Sequence, residues 1–169
     1  MSVTVEKNYI QFKGLYWLNE TVVSQEDELL VTNVAQKIHQ QKKFFIYSPH
    51  ALTTNFDRWQ TYGFDGAYLQ PNGFRTKFSQ TEVQTKLHEA FVNAQIYGRG
   101  INIEIDSYSG NQINAGAANF KQYVEMAHRY GLPGRSLIMY QGGNMIYRMA
   151  TYSQTPYQEA YSQLKNLLK

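Results

Sequence analysis

Two carboxylates stand out by type and setting. Glu20 closes the run Gly14-Leu15-Tyr16-Trp17-Leu18-Asn19-Glu20, and Glu104 sits inside Ile101-Asn102-Ile103-Glu104-Ile105-Asp106. Cleavage of a glycosidic bond needs two carboxyl groups facing each other across a sugar ring, one protonated to assist the leaving oxygen and one ionised to attack. Asp106, two residues beyond Glu104 and on the same side of an extended chain, is a rival for Glu104's role and a candidate orienting group. Asn19, His50, Gln70 and Asn72 offer donors and acceptors suited to sugar hydroxyls, and Tyr68 and Tyr140 offer aromatic faces. Other chemistries have less to stand on. There is no cysteine, which removes thiol catalysis and cysteine-rich zinc sites. No His-Glu-x-x-His, P-loop or nucleophile elbow is present, so no metal and no cofactor is expected.

These residues must be positioned by strands, because they fall at the ends of short apolar runs. The periodicity predicts strands at Gly14–Leu18, Phe44–Tyr47, Gly66–Leu69, Ile101–Asp106 and Leu137–Tyr140. Between them, Ser24 with Asp27 and Ser79 with Glu82 read as capping boxes. The first opens a helix to about Gln41 with Leu30, Val34 and Ile38 on one stripe; the second opens one lined by Val83, Leu87, Phe91 and Ala94. Asn55 is expected to cap a short helix through Trp59. Further helices are expected from about Ala115 to Tyr130, stopped by Gly131 and Pro133, and from the Thr155-Pro156-Tyr157-Gln158 cap to Leu168. The junctions Tyr62-Gly63, Tyr97-Gly98 and Tyr130-Gly131 repeat, which fits either a quasi-repeated unit or a common helix stop. Both tryptophans, Trp17 and Trp59, read better as core than as sugar platforms.

Strict strand-helix alternation argues for a parallel sheet, either a flavodoxin-like doubly wound sheet or part of a (β/α) barrel. The fourth strand chooses. Ile101, Ile103 and Ile105 face one way, and Asn102, Glu104 and Asp106 the other. In a doubly wound sheet that polar face would lie under a helix, where an unpaired carboxylate is costly. In a barrel it points inward, towards the end where catalytic groups of that fold gather. The expected fold is therefore a partial TIM-type barrel of about five β/α units, forming a single domain over residues 1–169.

Composition sets the outer bounds. The 169 residues are 43% hydrophobic and 15% aromatic, enough for a real core, and the net charge of +3 comes from scattered Lys and Arg. No nucleic-acid partner is expected, and no apolar run is long enough to span a membrane. The opening residues lack a secretory layout, which leaves the cytoplasm as the default location.

The residues around the carboxylates resemble the retaining barrel glycosidases of clan A, which carry an Asn-Glu acid/base pair after barrel strand four and a nucleophilic Glu near the end of strand seven. Asn19-Glu20 and Glu104 are separated by the same three strand intervals. A likeness over nearly the whole chain runs through Leu15–Glu20, Arg58-Trp59, Gly63–Asn72 and Gly100–Asp106, with Phe64-Asp65-Gly66-Ala67-Tyr68-Leu69-Gln70-Pro71-Asn72 its most specific element. There the sequence resembles the later part of the domain-of-unknown-function family 4855, bacterial proteins of glycosidase-barrel type. The resemblance implies a retaining glycoside hydrolase-like domain acting on poly- or oligosaccharide, with Glu20 as general acid/base and Glu104 as nucleophile. The alternative is a non-catalytic carbohydrate-binding or assembly module. Where clan A commonly places a Trp after strand eight, this chain has Tyr140-Gln141-Gly142-Gly143. With five of a barrel's eight units, its sheet edges would be uncovered, predicting a homo-oligomer or a missing N-terminal barrel half.

Overall fold

The computed structural model describes residues 11–106, 112–132 and 137–168. Its elements are β1 (Gly14–Trp17), α1 (Gln25–Gln40), β2 (Phe44–Tyr47), β3 (Gly66–Leu69), α2 (Gln80–Ile96), β4 (Gly100–Ile105), α3 (Gln112–Arg129), β5 (Ile138–Gln141), α4 (Met145–Thr151) and α5 (Thr155–Leu167). A 3₁₀ turn, Phe56–Arg58, lies between β2 and β3. All four strand pairings are parallel and the order is β1-β2-β3-β4-β5, so the sheet curls into a half-barrel. Sequential order excludes the flavodoxin-like alternative, whose sheet reverses direction at a switch point.

Local chemistry places the elements. Both capping boxes form, Ser24 with Asp27 and Ser79 with Glu82. Helices α2 and α3 end at Tyr97-Gly98 and Tyr130-Gly131, where the glycines take φ of 65° and 67°, the left-handed region where a Cβ is penalised; Gly63, at φ 84°, closes only the turn that follows the 3₁₀ segment. The outer face of β4 (Ile101, Ile103, Ile105) packs with Leu87, Phe91, Phe120 and Tyr123, while Phe45 and Tyr47 of β2 pack with Val31 and Ala35 of α1. Trp17 and Trp59 pack partly buried against that second cluster.

Several expectations are corrected. On α1 the buried stripe is Val31, Ala35 and Ile38; Leu30 is exposed because the sheet lies one helical position further round. Asn55 makes no side-chain cap; it sits in the left-handed region at φ 59° and turns the chain instead. Thr155 lies inside α5, whose N-cap is Gln154, with Pro156 in the first turn. Helix α4 was not expected, since seven residues are too few to show a period. The proline at 133 and the first ten residues lie outside the described residues.

Register decides what meets on the inner face. Tyr68 pairs with Gly100, Asn102 with Ile138, and Glu104 with Tyr140; His50 bridges to Gln70. The Tyr68 ring covers Gly100 so closely that an added Cβ would lie 2.4 Å from a ring carbon, so the floor is built around glycine there.

Candidate functional site

The inner face of the half-barrel encloses a hollow of about 740 Å³ into which both carboxylates project, Glu20 from beyond β1 and Glu104 from β4. Gln70, Asn72 and Tyr140 also line it, as the sequence suggested. So do Tyr16, Arg75 and Asn102, which it did not single out.

Glu104 is the most constrained group. It is 1% exposed, and its Oε2 accepts from the Asn72 backbone N–H at 2.6 Å and from the Tyr123 hydroxyl at 2.5 Å. The direction of the second bond follows from a third: the Gly73 N–H donates to the Tyr123 oxygen at 2.9 Å, which leaves the tyrosine proton for the carboxylate. Burial pushes the Glu104 carboxyl up to about 7; Tyr123 and the Asn72 N–H oppose it by favouring the charged form, Glu20 adds to it and Arg75 opposes it. The segment just after β3 is itself held from outside, because Asn119 of α3 donates to the carbonyls of Phe74 and Arg75.

Tyr16 stands on β1 at the Glu20 side. Partial burial raises its phenol, and the Glu20 charge adds to this. Below Glu104, Asn102 donates from Nδ2 to the Ser48 hydroxyl at 3.1 Å. Gln70 donates from Nε2 to the Ser48 carbonyl at 2.5 Å.

Other expected residues stand elsewhere. Asn19 turns its side-chain carbonyl back to Thr21, a local Asx turn, and is not among the residues lining the hollow. His50 accepts from the Leu52 N–H through Nδ1, Tyr68 forms the covered floor, and Asp106 lies past the strand end; none of the three lines the hollow. Among the described residues no group of three or more His, Asp or Glu is placed to hold a metal ion.

Tyr123 carried no sequence signal, since an aromatic residue inside an amphipathic helix reads as core. It is core, with only its hydroxyl reaching the site. Tyr123→Phe should therefore remove one of two donors to the charged carboxylate, raise the Glu104 pKa above its present value, and strand the Gly73 N–H. A carboxyl-resolved NMR titration of the variant, read beside its thermal melt, checks both effects.

Residues 5–166 match the family model described as Domain of unknown function (DUF4855). No curated protein matches the chain. The chain belongs to that family.

Proposed function

We propose that this DUF4855 domain is a glycoside hydrolase-like domain whose hollow takes a segment of poly- or oligosaccharide, with Glu104 as the nucleophile of a retaining mechanism and Glu20 as general acid/base. The observation that carries this reading is that two carboxyl groups, one from beyond the edge strand β1 and one from β4, line one hollow, the second deeply buried and oriented by two donors. The assignment of roles rests on the clan A resemblance of Asn19-Glu20 and Glu104. With Oε2 held by Asn72 and Tyr123, Oε1 is the oxygen left for an anomeric carbon. Tyr140, paired with Glu104 across β4 and β5 and half-exposed, offers an aromatic edge in the place of the clan A tryptophan.

A carboxyl raised to about 7 attacks only in its ionised fraction. The rate on a cleaved glycan should accordingly rise with pH through about 7 if Glu104 is the nucleophile. It should fall through the same range if Glu104 instead donates the proton and Glu20 attacks. A screen of bacterial surface polysaccharides for reducing-end release, followed by the pH profile on any substrate found, tests both the activity and the roles.

A non-catalytic carbohydrate-binding module is favoured by a different observation. Glu20 is exposed at the open side of the half-barrel, with Leu18 81% exposed beside it, so water is not excluded from that carboxylate. Glycan binding with no reducing-end release from any polysaccharide in the screen would select this reading.

A further inference from the structure

We infer that Asn102 is a ligand contact in the hollow, presenting its side-chain carbonyl to a hydroxyl donor on the bound molecule, so that the site selects saccharides with a free hydroxyl at that position. The inference rests on the carbohydrate reading above and deepens it. It begins with Ser48, which is fully buried and whose hydroxyl lies 2.9 Å from the Tyr68 backbone carbonyl. A carbonyl only accepts, so the Ser48 proton is committed there and its oxygen is left as an acceptor. Only the NH₂ end of the Asn102 amide can then face Ser48, which fixes the rotation of that amide by the network around it.

The consequence is an acceptor with nothing to accept. Asn102 is 6% exposed, and its Oδ1 is buried without a hydrogen-bond partner among the described residues. The neighbouring Gln70 amide directs an N–H of its Nε2 to the Ser48 carbonyl and makes no bond to the Asn102 Oδ1. Proteins rarely leave a buried acceptor unmet, so an unpaired one in a residue lining a cavity marks where a donor from outside belongs. Asn102 lies two residues before Glu104 on the same face of β4, about 6.6 Å along the strand. That is close to the span of one pyranose with its substituents. A ring whose anomeric carbon meets Glu104 would set a hydroxyl towards Asn102. The β4 wall thus presents two acceptors in a row, the Asn102 carbonyl and the free Glu104 oxygen. A methoxy or fluoro substituent, having no proton to give, would leave the acceptor unmet.

The test uses the full chain and the methyl glycosides of glucose, galactose, mannose, xylose and N-acetylglucosamine, followed by the side-chain NH₂ signals of Asn102 in ¹H–¹⁵N NMR. At least one glycoside should move those signals. Replacing one of its hydroxyls by fluorine should weaken binding about tenfold or more. Asn102→Leu should weaken the parent glycoside by a similar factor and erase the preference for hydroxyl over fluorine. Ser48→Ala, which frees the amide to rotate, should relax the same preference. If Asn102→Leu does not fold, the fluoro series on the unaltered protein decides alone. The inference is overturned if the Asn102 signals stay fixed with every glycoside, or if fluorine at each ring position is tolerated. That result together with polysaccharide release intact removes only the role of Asn102. Discrimination by Asn102 without any polysaccharide release removes the hydrolase reading and leaves this contact standing.

Discussion

Glu104→Gln should lower turnover on any glycan the protein cleaves by roughly ten-thousandfold while leaving glycan binding within a few-fold of the parent. The two halves of that result have separate causes. An amide cannot ionise and is too weak a nucleophile to attack an anomeric carbon, so the proposed mechanism loses its reacting group. The side chain keeps its shape, however. Its remaining carbonyl oxygen can still accept from the Asn72 N–H and the Tyr123 hydroxyl, so the segment after β3 and the floor of the hollow stay in place. Turnover and affinity measured side by side check it. A binding module has no turnover to lose, and a purely structural Glu104 would leave turnover untouched. With an activated aryl glycoside, Glu104→Ala plus azide should yield a glycosyl azide of inverted configuration if Glu104 is the nucleophile. Glu20→Ala plus azide should yield one of retained configuration if Glu20 is the acid/base.

The second large effect is on stability. Burial raises the Glu104 carboxyl from 4.5 to about 7 in the folded chain. A raised carboxyl means that the folded state binds its proton more tightly than the unfolded state does. Stability from this group is therefore greatest below about pH 4.5, declines as the unfolded chain ionises first, and reaches its lowest value above about pH 7. At about 1.4 kcal/mol per pH unit over that interval, the cost at pH 8 is roughly 3 kcal/mol. Glu104→Gln has no proton to lose. It should match the parent near pH 4.5 and exceed it by up to that amount at pH 8, which for a chain of this length is a melting difference of about 6–12 °C. Parallel thermal melts across pH 4.5 to 8 read it directly, and parallel curves for the two proteins at all pH values would contradict a buried, raised Glu104.

How much of this could be seen in the chain alone differs from element to element. The strands at Phe44–Tyr47 and Gly66–Leu69, both capping boxes and the α2 stripe were legible because each depends on contacts within a few residues. The strict alternation of β4 separated an inward polar face from an outward isoleucine face, and that alone favoured a barrel wall over a doubly wound sheet. It also pointed to Glu104. The short α4, the non-capping Asn55 and the rotated stripe of α1 were not legible, since each answers to packing by distant segments.

Within the site, residue type and strand position were enough to nominate Glu20, Glu104, Gln70, Asn72 and Tyr140, because side chains alternate along a strand whatever the neighbours are. They could not show that Asn19 folds back on Thr21 or that His50 serves its own loop, since those are rotamer choices among local partners. Nor could they show that Tyr123, from a helix outside the sheet, reaches through to Glu104, or that Ser48 turns the Asn102 amide. Those depend on parallel register, which brings residues from separate strands to one level through hydrogen bonds between backbones far apart in the chain. Local sequence sets which groups a strand offers and to which face; only the assembled sheet decides which of them meet, how deeply they are buried, and hence at what pH they hold a proton.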